Sequence, residues 1–211
     1  MKAGAVPMNS SCSHIQMARR WALLSVLAGA LGMSPCGVQA KVVSGINVSE
    51  TVTLGDATLV LNGAGMRAVA MFRAYVVGLY LPSKGQDANA VIRMSGPKRL
   101  HLVLMRDLDG ADLGKGFERG VKDNLTSAEA TSLSSRLSMF DRSVKSLGEV
   151  PKGTVILLDY LPGQGTRVQV NGQTVGPDIP GEDFYRSLML IWLGEHPVGS
   201  FLKQELLGAQ S

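Results

Sequence analysis

The sequence predicts an α+β domain in which one large antiparallel sheet carries a layer of helices on one face. Three observations lead there. Short runs of period-two alternation fill the front of the chain, return after Gly153, and are bounded by Gly, Asn and Asp. Between these runs, and again at the end, the apolar spacing lengthens to about 3.6, the period of an amphipathic helix. Asn171-Gly172 joins two of the late runs, a strong signal for a two-residue hairpin. Strands and helices that arrive in blocks favour an antiparallel sheet with segregated helices over a parallel, alternating fold.

The first forty residues stand outside that domain. Arg19 and Arg20 form a positive n-region, "WALLSVLAGALGM" (Trp21 to Met33) an apolar h-region, and "VQA" ends in Ala40 with Val38 at the −3 position. The apolar run is about 13 residues, short of the roughly 20 that a membrane span needs. The reading is a cleaved signal peptide at 1–40, with Met8 and Met17 as alternative starts, and one domain at 41–211 exported to the periplasm. Pro35 before Cys36 does not suit lipoprotein processing.

The leader carries much of what looks distinctive in the composition. Both cysteines, Cys12 and Cys36, lie in it, so the mature chain has no thiol chemistry and no disulfide. Lys2, Arg19 and Arg20 are its charged side chains, so most of the formal charge of +4 leaves with it. A nearly neutral domain lacks the basic footprint of a nucleic-acid binder.

Within 41–211 the elements read in order. "SETVTLG", "ATLVLNGAG" and "GMRAVAMFRAYVVGLYLP" (Gly65 to Pro82) are strands, with "GAG" at Gly63 to Gly65 as a turn, because it lacks the later glycine and following helix of a dinucleotide site. In an extended chain Arg67, Val69, Met71, Tyr75, Val77 and Leu79 share one side, so a guanidinium keeps company with groups that avoid water. The ordinary alternative is that Arg67 snorkels from a strand end into solvent. Asp87 caps a short helix running to Met94, and Lys98 to Arg106 is a strand. Leu113, Phe117, Val121 and Leu125 recur every fourth residue along an amphipathic helix, and a second helix follows from Ser127. "GTVILLDYL", "TRVQVNG" and "QTVG" are late strands, after which the chain closes as two helices broken near Gly194 and Pro197.

Several chemistries are excluded. His101 and His196 are the histidines of the mature chain and no cysteine accompanies them, so no metal site is expected. His101 reads as a satisfied, half-buried strand residue. Asp107, Asp109 and Asp112 cluster where a loop enters a helix, a position that favours acids electrostatically. There is no nucleophile elbow, phosphate loop or dinucleotide fingerprint, so no cofactor is expected.

"GAGMRAVAMFRAYVVGLYLP", the helix ending "GVKDNL" and "LIWLGEHPVGSFLKQELLG" (Leu190 to Gly208) resemble the chalcone isomerase-like proteins from about Ser44 to Gly208. The resemblance implies an open-faced β-sandwich, a large antiparallel sheet under a layer of helices with a ligand cleft between them. It also implies two kinds of member: isomerases that close a chalcone to a flavanone, and non-catalytic relatives that bind fatty acids. In the isomerase pattern the cleft holds an arginine, a threonine, a tyrosine, a lysine, an asparagine and a last hydroxyl. The arginine matches Arg67 and the asparagine Asn124, both kept. The other positions fall on Tyr75, Phe117, Gly120 and Ile191, and a tyrosine in place of the first threonine is the pattern of the fatty-acid binders.

Loss of one positioned donor commonly costs two to three orders of magnitude in rate, so efficient chalcone cyclisation is not expected. The expected function is binding of a fatty acid or similar amphipathic carboxylate. Arg67 and Tyr75 would grip the carboxylate, with Phe117, Ile191, Val77 and Val121 as apolar wall, and Asn124 either in the site or at a helix C-terminus. The alternative is an isomerase or intramolecular lyase acting on another small molecule, with Arg67 polarising an oxyanion and Tyr75 as a weak acid.

Overall fold

The computed structural model describes residues 40–69 and 71–208. The expected signal peptide lies outside them, apart from Ala40.

Seven strands form one antiparallel sheet in the order β11-β10-β9-β6-β5-β4-β3. They are β3 (Thr51–Leu54), β4 (Ala57–Val69), β5 (Phe72–Leu81), β6 (Lys98–Leu104), β9 (Val155–Leu161), β10 (Gly165–Val170) and β11 (Gln173–Thr174). The remaining strands, β1 (Ala40–Val43) with β2 (Ile46–Ser49) and β7 (Leu108–Asp109) with β8 (Glu149–Val150), make two small ribbons. The helices are α1 (Ala88–Arg93), α2 (Gly110–Lys122), α3 (Ser127–Lys145), α4 (Glu182–Leu193) and α5 (Ser200–Leu206). No helix among the described residues is long and apolar enough to cross a membrane.

Alternation along the strands sorts the two faces. Leu100, Leu102 and Leu104 of β6, Leu79 of β5 and Leu158 of β9 point into the main core, where Phe117, Val121, Phe184, Leu188 and Trp192 of the helices meet them. Arg99 and His101 of β6 project from the opposite face. There Arg99 makes a bidentate pair with the buried Asp159 at 2.6 and 2.7 Å.

That opposite face is not bare. The β1–β2 hairpin, turning through Ser44 and Gly45 with φ of 49° and 84°, lays Val43 and Val48 over Leu59, Leu61, Val76 and Tyr80. The Tyr80 hydroxyl donates to the Ser49 carbonyl at 2.8 Å and fastens the hairpin. The sequence reading began the strands at Ser49 and so missed this ribbon.

Two local expectations are corrected. Gly63 and Gly65 are not a turn; they lie inside β4, where any Cβ would collide with the Glu205 and Leu206 backbone or the Glu205 carboxylate of α5. The glycines let a helix rest directly on strand backbone. Likewise "GMRAVAMFRAYVVGLYLP" is not one strand but the arms of the β4–β5 hairpin, with register shifts at Leu61/Gly63 and Arg67/Ala68. Simple odd-number alternation therefore fails across it, and Met71 is 91% exposed.

Candidate functional site

The cleft forms where the β4–β5 hairpin meets α2, α4 and the segment between α4 and α5. It encloses about 430 Å³ and is lined by Arg67, Tyr75, Leu113, Phe117, Ile191 and Val198 among others, with Asp112, Arg119, Asp123 and His196 also on its walls.

Arg67 and Tyr75 are brought together by strand register. They stand directly opposite each other on β4 and β5, so their side chains leave the same face of the sheet. The bulge just after Arg67 re-aims the strand before the hairpin turn. Arg67 is partly buried, and a Cβ on Gly199 would sit 3.7 Å from its Nη1.

Its electrostatic position is unusual in this molecule. The other partly buried arginines each hold a carboxylate: Arg99 with Asp159, Arg136 with Asp183, Arg167 with Asp178 and Arg186 with Glu182. Arg67 forms no ion pair among the described residues. A partly buried guanidinium without a counter-charge is able to accept an anion.

Tyr75 is partly exposed as a residue because its ring lines the cleft, yet its hydroxyl lies deep. Burial pushes the phenol up to about 12, offset in part by the Trp192 hydrogen bond and the Arg67 charge. The Trp192 indole N–H donates to the Tyr75 oxygen at 3.1 Å. That contact uses an acceptor site of the hydroxyl and leaves its proton to give. Trp192 is an interaction the sequence reading missed, although the residue stood next to Ile191 in the motif.

Phe117 and Ile191 are wall. Phe117 packs edge-on against Phe140 and Trp192, with centroids 5.4 and 6.1 Å apart, and is 4% exposed. Val77 and Val121, expected beside them, are fully buried and lie within the core. Gly120 and Ile191 belong together: a Cβ on Gly120 would meet Ile191 Cγ2 at 2.9 Å. A branched side chain on α4 occupies the space that any side chain at residue 120 of α2 would need.

Asn124 does not join this cleft. Its amide donates to the carbonyls of Gly120 and His196, both at 2.9 Å, while its oxygen accepts the His196 N–H at 2.8 Å. It staples the end of α2 to the turn after α4, in keeping with its helix-terminus reading, and both of its N–H donors are used there. Arg119 and His196, which the sequence reading did not single out, do line the cleft. Helical spacing does not point to Arg119, because a residue two positions after Phe117 leaves α2 on a different side. Nothing in the sequence ties His196 to it. Among the described residues no group of three or more His, Cys, Asp or Glu is placed to hold a metal ion.

The comparisons with known proteins agree with this architecture. The family model described as chalcone isomerase-like matches residues 40–208. Among solved structures, that of an Arabidopsis thaliana fatty-acid binding protein superposes with a TM-score of 0.64 at 17% identity, covering 80% of this chain and 96% of that one. At that identity the likeness shows a shared fold. No curated protein sequence matches the chain.

Proposed function

Since the chain belongs to the chalcone isomerase-like family, we propose that it is a non-catalytic member that binds a fatty acid or similar amphipathic carboxylate. Arg67 and Tyr75 take the carboxylate, and the apolar cleft takes the chain. We further propose that it does so in the periplasm, after loss of residues 1–40. The observation that carries the reading is that Arg67 has no ion-pair partner among the described residues and stands opposite a tyrosine whose hydroxyl donates to none of them. A carboxylate accepts two parallel N–H bonds from a guanidinium and a third from a phenol. Each buried CH₂ adds roughly 0.8 kcal/mol before ordering costs, so an acyl tail supplies the larger share of affinity. The Arabidopsis thaliana structure, titled a fatty-acid binding protein, supports the same class of ligand.

The isomerase alternative has less support. A phenol held near 12 keeps its proton throughout the neutral range and serves as a hydrogen-bond donor, not a proton shuttle. Gly120 and Ile191 remove two of the polar groups that would orient a polyphenol, and their mutual packing leaves no room to restore the first alone. Mass spectrometry of whatever co-purifies with the protein, followed by titration of a long-chain fatty acid against its methyl ester, tests the proposal. Acid and ester bound equally well would refute it.

A further inference from the structure

The β4–β5 hairpin carries apolar side chains at its end that the fold leaves uncovered. Val69 is 52%, Met71 91% and Phe72 62% exposed. Scattered single apolar residues on a surface need no explanation, but several gathered at one projecting end mark a contact with something apolar. Cations flank them. Arg73 follows Phe72 and is exposed, and the exposed Arg106 sets its guanidinium 5.3 Å from the centre of the Phe72 ring. The acids nearest Arg106 in sequence are engaged with backbone: Asp107 accepts the Lys152 N–H and Asp109 the Ala111 N–H, both at 2.7 Å.

We propose that this hairpin end docks on an anionic lipid surface, with Val69, Met71 and Phe72 entering the headgroup boundary and Arg73 and Arg106 meeting lipid phosphates. A narrow projection suits that partner. A specific protein interface buries about 1,200 Å² or more in total and needs a complementary shape, which so few side chains do not supply. A bilayer interface demands no such shape and rewards apolar groups ringed by cations directly. Val69 also lines the cleft, so docking places the cleft beside the lipid. The inference goes beyond the fatty-acid reading and does not rest on it, because vesicle binding is measured without any cleft ligand.

The test uses protein purified with its native N-terminus and co-sedimented with vesicles of phosphatidylglycerol and phosphatidylethanolamine, or of phosphatidylcholine alone. The protein is expected on the anionic vesicles, less so as salt rises. Met71→Glu, at a site too exposed to affect folding, should weaken binding about tenfold or more. Arg73→Gln should weaken it about fivefold. Tryptophan fluorescence of Met71→Trp should shift to the blue on adding anionic vesicles. Equal binding to both vesicle types, undiminished binding by Met71→Glu, or no binding at all would overturn the proposal. So would a blue shift that follows protein concentration without lipid, which would mean that a second copy covers the hairpin end.

Discussion

The indole N–H of Trp192 points at the hydroxyl oxygen of Tyr75 across 3.1 Å, joining α4 to β5 at the floor of the cleft. The bond holds the phenol oxygen as an acceptor and leaves its proton free for another partner. Trp192 is fully buried, so its N–H has no water to turn to.

Tyr75→Phe should therefore have two separable effects. The orphaned indole N–H should lower stability by about 1–3 kcal/mol, read from denaturant unfolding. Carboxylate affinity should fall by about 0.5–1.5 kcal/mol, read by calorimetry. Stability lost with affinity untouched would place Tyr75 in the frame and not in the grip.

Arg67→Ala should weaken a long-chain fatty acid by about 2 kcal/mol, the low end for truncating a charged pair, because the guanidinium is only partly buried. The methyl ester should hardly respond. Arg67→Lys keeps the charge without the fork, so an intermediate loss is expected if two parallel bonds matter. Should Arg67→Ala unfold the protein while the ester and the acid behave alike, the arginine is structural.

Gly120→Ala offers a prediction that changes sign with its neighbour. In the native background the new methyl meets Ile191 Cγ2 at 2.9 Å, and overpacking of this kind costs about 1–3 kcal/mol against a helix-propensity gain of about 1. A small net loss in thermal stability is expected. In an Ile191→Ala background the obstacle is gone, and the same change should stabilise by up to about 1 kcal/mol. Additive effects would mean that the two helices do not meet as described.

Stability should fall on the alkaline side between about pH 10 and 12. Burial raises the Tyr75 and Tyr80 phenols to about 12, whereas an unfolded chain titrates them near 10. Below 10 both states keep these protons and nothing is lost. Through the window above it the unfolded state releases protons that the folded state retains, so unfolding gains ground as pH rises. The effect is about 1–3 kcal/mol per tyrosine, and Tyr75→Phe should flatten this limb in denaturant titrations at pH 9 to 12.

Much of the sheet and the five helices of the described residues are legible because their signals are local. The stripe through Leu113, Phe117 and Val121, the cap at Asp87 and the turn at Asn171-Gly172 each state their own conformation. What escaped depends on partners far along the chain. Gly63 and Gly65 look like a turn until α5 is seen lying on them. The β1–β2 hairpin lies beside the expected cleavage site, and its strands of four residues each are too short to state an alternation of their own. In the site, Arg67 and Tyr75 were named from the sequence, but the facing register that joins them comes from two bulges that alternation cannot foresee. Asn124 was an ambiguous polar residue at a helix end, and only the position of the His196 backbone resolves it.

The amide of Asn62 donates to the carbonyl of Leu206 across 144 positions of chain, and α5 rests on the glycines of β4. Closing so wide a span comes late in folding, because its entropy is lost before the contact gives anything back. The strand that bears Arg67 thus stays without its covering helix until α5 has docked. Until then the backbone of β4 at Gly63 and Gly65 lies bare, and one wall of the Arg67 hairpin has nothing behind it.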